Sequence, residues 1–328
     1  LPLTGCCQKN HLPIQTGAEQ TTLYLPMLKN KKCALTANQT SIIGKSHLID
    51  SLLKLQITIV KIFSPEHGFR GTAADGESIE NTVDAATGIP VVSLYGIRKK
   101  PSANDLKDID VMIYDIQDVG VRFYTYISTL HYVMESCAEN DIPLVILDRP
   151  NPNGFYTDGP LLEHNFKSFV GMHPIPLVYG LTAGELAMMI NGEGWLANKK
   201  TCNLKVIPCI NYTHKSLYRL PVNPSPNLRN MEAVYLYPSI GLFEGTIMNV
   251  GRGTPFPFQV FGHPDYLQRN FSYTPASTLE NRNPKHKGLR CYGNDLRNLT
   301  SDSLVHLKRI NLSWIILAYQ TMQRKDFF

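Results

Sequence analysis

The sequence predicts an α/β fold: a Rossmann-like domain with a parallel sheet, followed by a second, smaller α/β subdomain. Three observations predict it. Apolar runs alternate with segments of helical spacing through the first half of the chain. Each run is continuous rather than alternating, as in strands covered on both faces. After Asn151 proline and glycine become frequent and strands harder to place, which sets a boundary near 150–165. The expected organisation is a leader over 1–22, a Rossmann-like domain over 23–155 and a second subdomain over 156–328.

Residues 32–37 read as the first strand, 38–46 as a polar loop and 47–55 as a helix with Leu48, Leu52, Leu53 and Leu55 apolar. The β-branched run 57–63 is a buried strand that stops at Ser64-Pro65, because proline cannot continue a central strand. Further strands are expected over 89–94, 111–116 and 144–147, with a short helix over 103–109. A long amphipathic helix is expected over 123–140, with Ile127, Leu130, Val133, Met134 and Cys137 on one face. In the second half Thr182 and Glu185 form a capping box opening a helix over 182–191. A strand follows over 204–208, then an extended proline-rich loop over 220–228. A helix or strand over 232–243, a Gly/Pro-rich loop over 244–264 and a helix over 304–322 complete the chain.

The 328 residues are 43% hydrophobic and 18% charged with formal net charge +5, an ordinary globular composition. No dense Lys/Arg run is present, so nucleic acid is not implied. No apolar run is long enough to span a bilayer. Leu3-Thr4-Gly5-Cys6 resembles the lipobox of bacterial lipoproteins, from which a lipid anchor on Cys6 and a periplasmic location are expected. The seven cysteines show no CxxC pair and no zinc spacing, so no metal is expected. Cys33 and Cys137 are expected to fill core, and Cys202 and Cys209 to be reduced rather than bridged.

Three strands of the first domain end in polar clusters. Glu66, His67 and Arg70 follow the second strand, with Gly68 and Gly71 allowing a tight turn. Asp115, Gln117, Asp118 and Arg122 follow the fourth, and Asp148, Arg149 and Asn151 the fifth. In a parallel sheet these ends share one edge, where open α/β sheets bind ligands. Each cluster also has a structural alternative, such as local pairing of Glu66 with Arg70 or of Asp118 with Arg122. The loops of the second half add His173, Asn227, Glu244, Arg252 and Gln259. Glycoside hydrolysis uses two carboxyl groups, and Glu66 with Glu244 or with Asp118 would supply them; the sequence leaves that choice open. Tyr124 and Tyr126 would stack on a sugar or fill core. Competing motifs fail on context. Gly192-Glu193-Gly194-Trp195-Leu196-Ala197 matches a dinucleotide fingerprint but follows a helix, and reads as a glycine helix stop. There is no HExxH, no phosphate loop and no G-x-S-x-G.

The segments FSPEHGFRG (63–71), YDIQDVGVRFYTYISTLHYVMESCAEN (114–140), LDRPNPNG (147–154), VGMHPIPLVYGLTAGELAMMINGEGWL (170–196), PSPNL (224–228), LFEGT (242–246) and GRGTPFPFQVFG (251–262) resemble the exo-β-N-acetylmuramidase family, long listed as a domain of unknown function. The resemblance spans 25–317 and is closest to Bacteroidetes-type members. It implies a Rossmann-like domain and a second α/β subdomain with the active site in the cleft between them. It also implies release of N-acetylmuramic acid from the non-reducing end of peptidoglycan fragments, without cofactor. It makes Glu66 the first choice for the catalytic carboxylate, with His67 beside it. The family usually reads TADAGE after FRG, where this chain reads Thr72-Ala73-Ala74-Asp75-Gly76-Glu77. It also continues beyond Phe328, so a shortened second subdomain is expected.

Muramic acid carries a lactyl carboxylate, which calls for a cation, best the bidentate fork of arginine. Arg70, Arg122, Arg149 and Arg252 are the candidates, with Arg122 and Arg252 favoured. Asn151 or Asn227 would meet the N-acetyl group, and the substrate's own acetamido group is a candidate participant. Gln117, Tyr124, Asp148 and His173 complete the expected binding set. The alternatives are a non-catalytic cell-wall sugar-binding lipoprotein and a nucleotide-dependent Rossmann enzyme.

Overall fold

The computed structural model describes residues 12–70 and 81–328. The apolar runs of the first half pair side by side across long connections, as parallel strands must. The strands are β1 (Lys32–Ala37), β2 (Ile42–Ile43), β3 (Ser46–His47), β4 (Thr58–Ser64), β5 (Thr82–Val83), β6 (Pro90–Ser93), β7 (Val111–Asp115), β8 (Leu144–Leu147) and β9 (Leu204–Ile207). Seven of them form one sheet in the order β5-β6-β4-β1-β7-β8-β9. Every pairing in it is parallel except β5 with β6. The chain steps outward from β1 through β4 to β6, then returns to the other side of β1 for β7, β8 and β9. This reversal opens a crevice beyond the carboxyl ends of β1 and β7. β2 and β3 make a small hairpin within the segment expected as loop.

Side chains alternate between two helical layers because the strand period is two. Val111 and Ile113 of β7 join one buried cluster with Tyr24 and Leu28 of α1 (Thr21–Leu28) and Leu48 and Leu52 of α2 (Leu48–Lys54). Met112 and Tyr114 join the other, with α3 (Tyr126–Glu139) and α4 (Ala183–Gly192). The expected apolar face of α3 is buried, and the capping box of α4 is present, with Thr182 Oγ1 accepting from Glu185 N at 3.1 Å. The glycine stop is also present, since Gly192 is the last residue of α4 and Gly194 has φ 64°.

Several expectations need correction. Residues 15–20 are built into the fold rather than forming a loose leader. Gly17 N donates to Asp148 O at 2.8 Å. A Cβ on Gly17 would lie 2.3 Å from Ile207 O, so only glycine fits there. Residues 103–108 form turns rather than a helix, because Asp105 accepts from Ser102 N (2.9 Å) and Oγ (2.6 Å) and holds the segment in a side-chain-closed loop. β9 pairs with β8, so the large sheet takes its last strand from beyond residue 156.

The segment 232–243 resolves into a helix, α5 (Met231–Ile240), capped by Asn230 Oδ1 accepting from Ala233 N at 2.8 Å. The loop 244–264 ends in a strand, β10 (Val260–His263), which joins β11 (Phe271–Tyr273) and β12 (Cys291–Asp295) in an antiparallel sheet of order β10-β12-β11. The helix expected over 304–322 is two, α6 (Ser301–Leu307) and α7 (Ser313–Met322). Lys308 turns left-handed at φ 46° and Ile310 N donates to Asp158 Oδ2 at 2.7 Å, which anchors the break. Phe243, Phe261, Tyr266, Met322 and Phe327 share one buried cluster with α3, so the two parts pack on a continuous core. Cys33, Cys137, Cys202, Cys209 and Cys291 are free thiols; Cys6 and Cys7 lie outside the described residues.

Candidate active site

The site begins where β4 ends. Proline at 65 forces the chain out of the sheet, and Gly68 N donates back to Pro65 O at 3.1 Å to close a turn. His67 sits inside that turn at φ 68°, a left-handed conformation that a histidine adopts at a cost. The turn projects Glu66, half-buried, toward the start of α3. There Thr125, the residue preceding the helix, donates from Oγ1 to Glu66 Oε2 at 2.8 Å. The carboxylate therefore lies at the positive end of a 14-residue helix.

The opposite wall comes from the second half of the chain. Tyr124 OH donates to Pro224 O at 2.8 Å and Tyr126 OH to the same oxygen at 3.2 Å. These bonds fasten the proline-rich loop over the start of α3 and bring Ser225, Asn227 and Leu228 to the cavity that Glu66, His67 and Thr125 line. Phe123, Tyr237 and Phe258 form an edge-to-face aromatic floor, with ring centroids 5.0 Å (Phe123–Tyr237) and 4.8 Å (Tyr237–Phe258) apart.

Arg252 closes the cavity from the glycine-rich loop. Its guanidinium lies 4.9 Å from the Phe258 ring and pairs with Glu244, Nε to Oε1 at 2.6 Å and Nη2 to Oε2 at 3.2 Å. The loop needs Gly251, whose φ is 80° and where a Cβ would lie 2.7 Å from Phe256 O. Asn249 ties the same loop, accepting from Gly251 N at 2.7 Å and donating to Arg252 O at 3.2 Å. Glu244 itself lines a small neighbouring cavity with Arg252 and Lys285.

The fold thus brings Glu66, His67, Tyr124, Asn227 and Arg252 together and sets Glu244 behind Arg252. The other candidates are engaged elsewhere. Asp118 is buried, accepting from Gly120 N at 2.7 Å and from Tyr179 OH, and burial pushes its carboxyl up to about 6. Gln117 Nε2 donates to Asp118 O (2.8 Å) and Pro150 O (2.7 Å). Arg122 donates to the carbonyls of Pro160 and Ile175, so it braces a loop rather than facing the cavity. Asp148 caps α4, accepting from Thr182 Oγ1 (2.6 Å) and Gly184 N (2.8 Å), and burial raises its carboxyl to about 6. Arg149 forms a buried bidentate pair with Asp115 at 2.5 and 2.9 Å. Asn151 Nδ2 donates to Leu181 O at 2.8 Å and its Oδ1 accepts from Asn153 N at 2.8 Å. His173 pairs with His131, Nε2 to Nδ1 at 3.0 Å, and burial lowers both imidazoles, to about 3 and about 4. Arg70 is taken by Asp84 at 2.9 Å, and Gln259 accepts from Asn230 Nδ2 at 3.1 Å. Gly71, Asp75 and Glu77 lie outside the described residues.

Thr125 was not among the residues the sequence singled out, nor were Phe123, Ser225, Tyr237 and Phe258. The one available signal was a threonine at the entrance of a helix that follows a polar cluster. Among the described residues no group of three His, Cys, Asp or Glu is placed to hold a metal ion.

Comparison with known proteins places the chain in a family. The family profile described as exo-beta-N-acetylmuramidase NamZ, N-terminal, matches residues 33–232, and its C-terminal counterpart matches residues 235–328. The peptidoglycan beta-N-acetylmuramidase NamZ of Bacillus subtilis is 40% identical over 300 residues, covering 85% of this chain and 71% of that protein. A crystal structure of a DUF1343 family protein from Bacteroides fragilis superposes with a TM-score of 0.89 at 50% identity, over 97% of this chain and 86% of its own. A second DUF1343 structure from the same organism gives 0.75 at 32% identity, over 89% and 80%.

Proposed function

Because this chain belongs to the exo-β-N-acetylmuramidase NamZ family, we propose that it is an exo-acting glycoside hydrolase that releases N-acetylmuramic acid from the non-reducing end of peptidoglycan fragments. The observation that carries the site assignment is Glu66. It is the one carboxylate among the described residues that line the cavity between the start of α3 and the proline-rich loop.

Glu66 protonates the glycosidic oxygen as the bond from that oxygen to the anomeric carbon breaks, leaving an oxocarbenium-like sugar. Thr125 holds the carboxyl in line for that transfer. An oxygen nucleophile adds to the anomeric carbon as the leaving sugar departs. Where it is the substrate's own acetamido oxygen, water then attacks the anomeric carbon and the Glu66 carboxylate takes the water's proton. The bond to the acetamido oxygen breaks, which restores the acetamide and releases N-acetylmuramic acid. Neither second carboxylate considered from the sequence lines the cavity: Asp118 is enclosed by Tyr179 and Gly120, and Glu244 is bound to Arg252. The substrate's own acetamido oxygen is proposed as the first nucleophile, with Asn227 on the cavity wall to meet that group. Arg252 supplies the guanidinium for the lactyl carboxylate, which separates muramic acid from glucosamine. The aromatic floor excludes water from the sugar's apolar face.

The enzyme's place in the cell is proposed to be the periplasm, with a lipid on Cys6, and its role the turnover and recycling of wall fragments. The sequence Leu3-Thr4-Gly5-Cys6 supports the anchor. Replacing Cys6 with serine should move the protein from membrane to soluble fractions, and an unchanged distribution would remove this part of the proposal.

The central test is hydrolysis of a chromogenic N-acetylmuramide beside the matching N-acetylglucosaminide. The protein should cleave the first and not the second, and Glu66→Gln should lower kcat by at least about 100-fold with an unchanged melting curve. Turnover near that of the unmodified protein in Glu66→Gln would overturn the assignment. Binding of the muramide without any hydrolysis would identify a sugar-binding protein instead.

A further inference from the structure

The cavity beside Glu66 is assigned above to the terminal muramyl residue; the saccharide to which it is attached needs a surface of its own. Resting on the glycosidase reading above, we infer that a ridge of Tyr95, Phe169, Tyr132 and Lys99 holds the leaving-group side of the glycan.

The ridge starts at the same sheet edge as Glu66. Ser93, the last residue of β6, is in register with Ser64, the last residue of β4, so Tyr95 and Glu66 both lie just beyond paired strand ends. Along α3, Thr125, Ser128 and Tyr132 fall at i, i+3 and i+7, one stripe of the helix. Thr125 holds Glu66, and Ser128 Oγ donates to Phe169 O at 2.7 Å, which fastens Phe169 one turn further on. The Phe169 ring lies nearly parallel to Tyr132, at 13° with centroids 6.3 Å apart, and 6.2 Å from Tyr95. All three rings are half-buried, so each is held in place and still presents surface. From Thr125 to Tyr132 the helix advances about 10 Å, the length scale of a disaccharide.

The cation is placed for an acidic glycan. Lys99 Nζ sits 4.4 Å from the centre of the Phe169 ring, while the adjacent Lys100 is consumed by Glu135 and Glu139 at 2.7 Å each. Among the described residues no carboxylate is in ion-pair range of Lys99. A pyranose offers a face of C–H bonds that stacks on an aromatic ring while its hydroxyl rim stays in water. The next muramyl residue along the strand carries a further lactyl carboxylate, which a ring-held ammonium would meet. The inferred ligand is therefore an alternating N-acetylglucosamine–N-acetylmuramic acid chain continuing past the scissile bond.

The test compares three substrates: the chromogenic N-acetylmuramide, which lacks a leaving-group sugar, the muramyl–glucosaminyl disaccharide, and the corresponding tetrasaccharide. Phe169→Ala should raise KM about five- to tenfold for both saccharides and leave the chromogenic substrate unchanged. Lys99→Glu, a surface change that leaves the rings in place, should raise KM for the tetrasaccharide alone, because only its leaving group carries a lactyl carboxylate. Equal effects on all three substrates, or none on any, would overturn the ridge while leaving the glycosidase reading intact. Failure of the unmodified protein to cleave the chromogenic substrate and both saccharides would overturn that reading itself.

Discussion

Thr125 Oγ1 and Glu66 Oε2 are 2.8 Å apart, a hydrogen bond that joins residues 59 positions apart in sequence and sets the direction of the carboxyl group. Thr125 positions Glu66 without needing to touch the substrate. Thr125→Val should lower kcat about tenfold with little change in KM, and Thr125→Ser, which keeps the hydroxyl, should recover most of the loss. Steady-state kinetics on the chromogenic N-acetylmuramide measure both. A parallel rise in KM, or no recovery with serine, would make Thr125 a packing residue only.

Arg252 is the cation on the cavity wall, and its partner Glu244 holds it against Phe258. Arg252→Ala should raise KM for the N-acetylmuramide about tenfold to 100-fold, the worth of a charge-assisted hydrogen bond. Arg252→Lys should recover only part of this, because a lysine cannot present the same planar fork. Competition by free lactate-bearing sugar against its lactate-free counterpart reads the preference directly. An unchanged preference in Arg252→Ala would move the lactyl contact elsewhere.

Asp115 and Arg149 form an ion pair whose side chains are 0% and 2% exposed. Removing either charge strands the other in the protein interior. Arg149→Met should cost about 3–5 kcal/mol in denaturant unfolding. Replacing both residues with apolar side chains of similar volume should recover much of that loss. A single variant as stable as the unmodified protein would show that water reaches the pair.

Asp118 gives a pH dependence with a defined sign. Burial raises its carboxyl from 3.8 to about 6, so the folded state holds the proton more tightly than the unfolded chain. Its contribution to stability is fully present below the unfolded value and is lost as pH rises through about 6. Asp118→Asn keeps a neutral group at all pH values. The melting temperature of Asp118→Asn relative to the unmodified protein should therefore climb from about pH 4 to about pH 7. A flat difference across that window would mean the carboxyl titrates as in water.

Much of the first domain was legible. β1, β4, β6, β7, β8 and α3 appear within a few residues of where the apolar runs and the helical spacing put them, because a buried parallel strand must be continuously apolar. Glu66 was legible too, since a carboxylate directly after a strand-ending proline has few places to go but the sheet edge. The single helix expected over 304–322 is two, split by a left-handed turn at Lys308, after which Ile310 N binds Asp158, far away in sequence. Arg122, Asp148 and Arg149 stand in the same kind of strand-end polar cluster as Glu66. All stand beside strand or helix ends, and nothing local says which will find carbonyls, helix caps or a buried counter-charge.

The sequence by itself determined a Rossmann-like parallel sheet, the polar edge along its strand ends and the family to which the chain belongs. Those rest on local periodicity and on contiguous motifs. Only the tertiary structure decided which polar groups face solvent in the cavity and which are spent inside. That outcome depends on contacts such as Tyr124 with Pro224 and Arg149 with Asp115, between segments 100 and 34 positions apart. Hydrogen-bond demand is fixed by residue type, but the partner that satisfies it is fixed only by the fold.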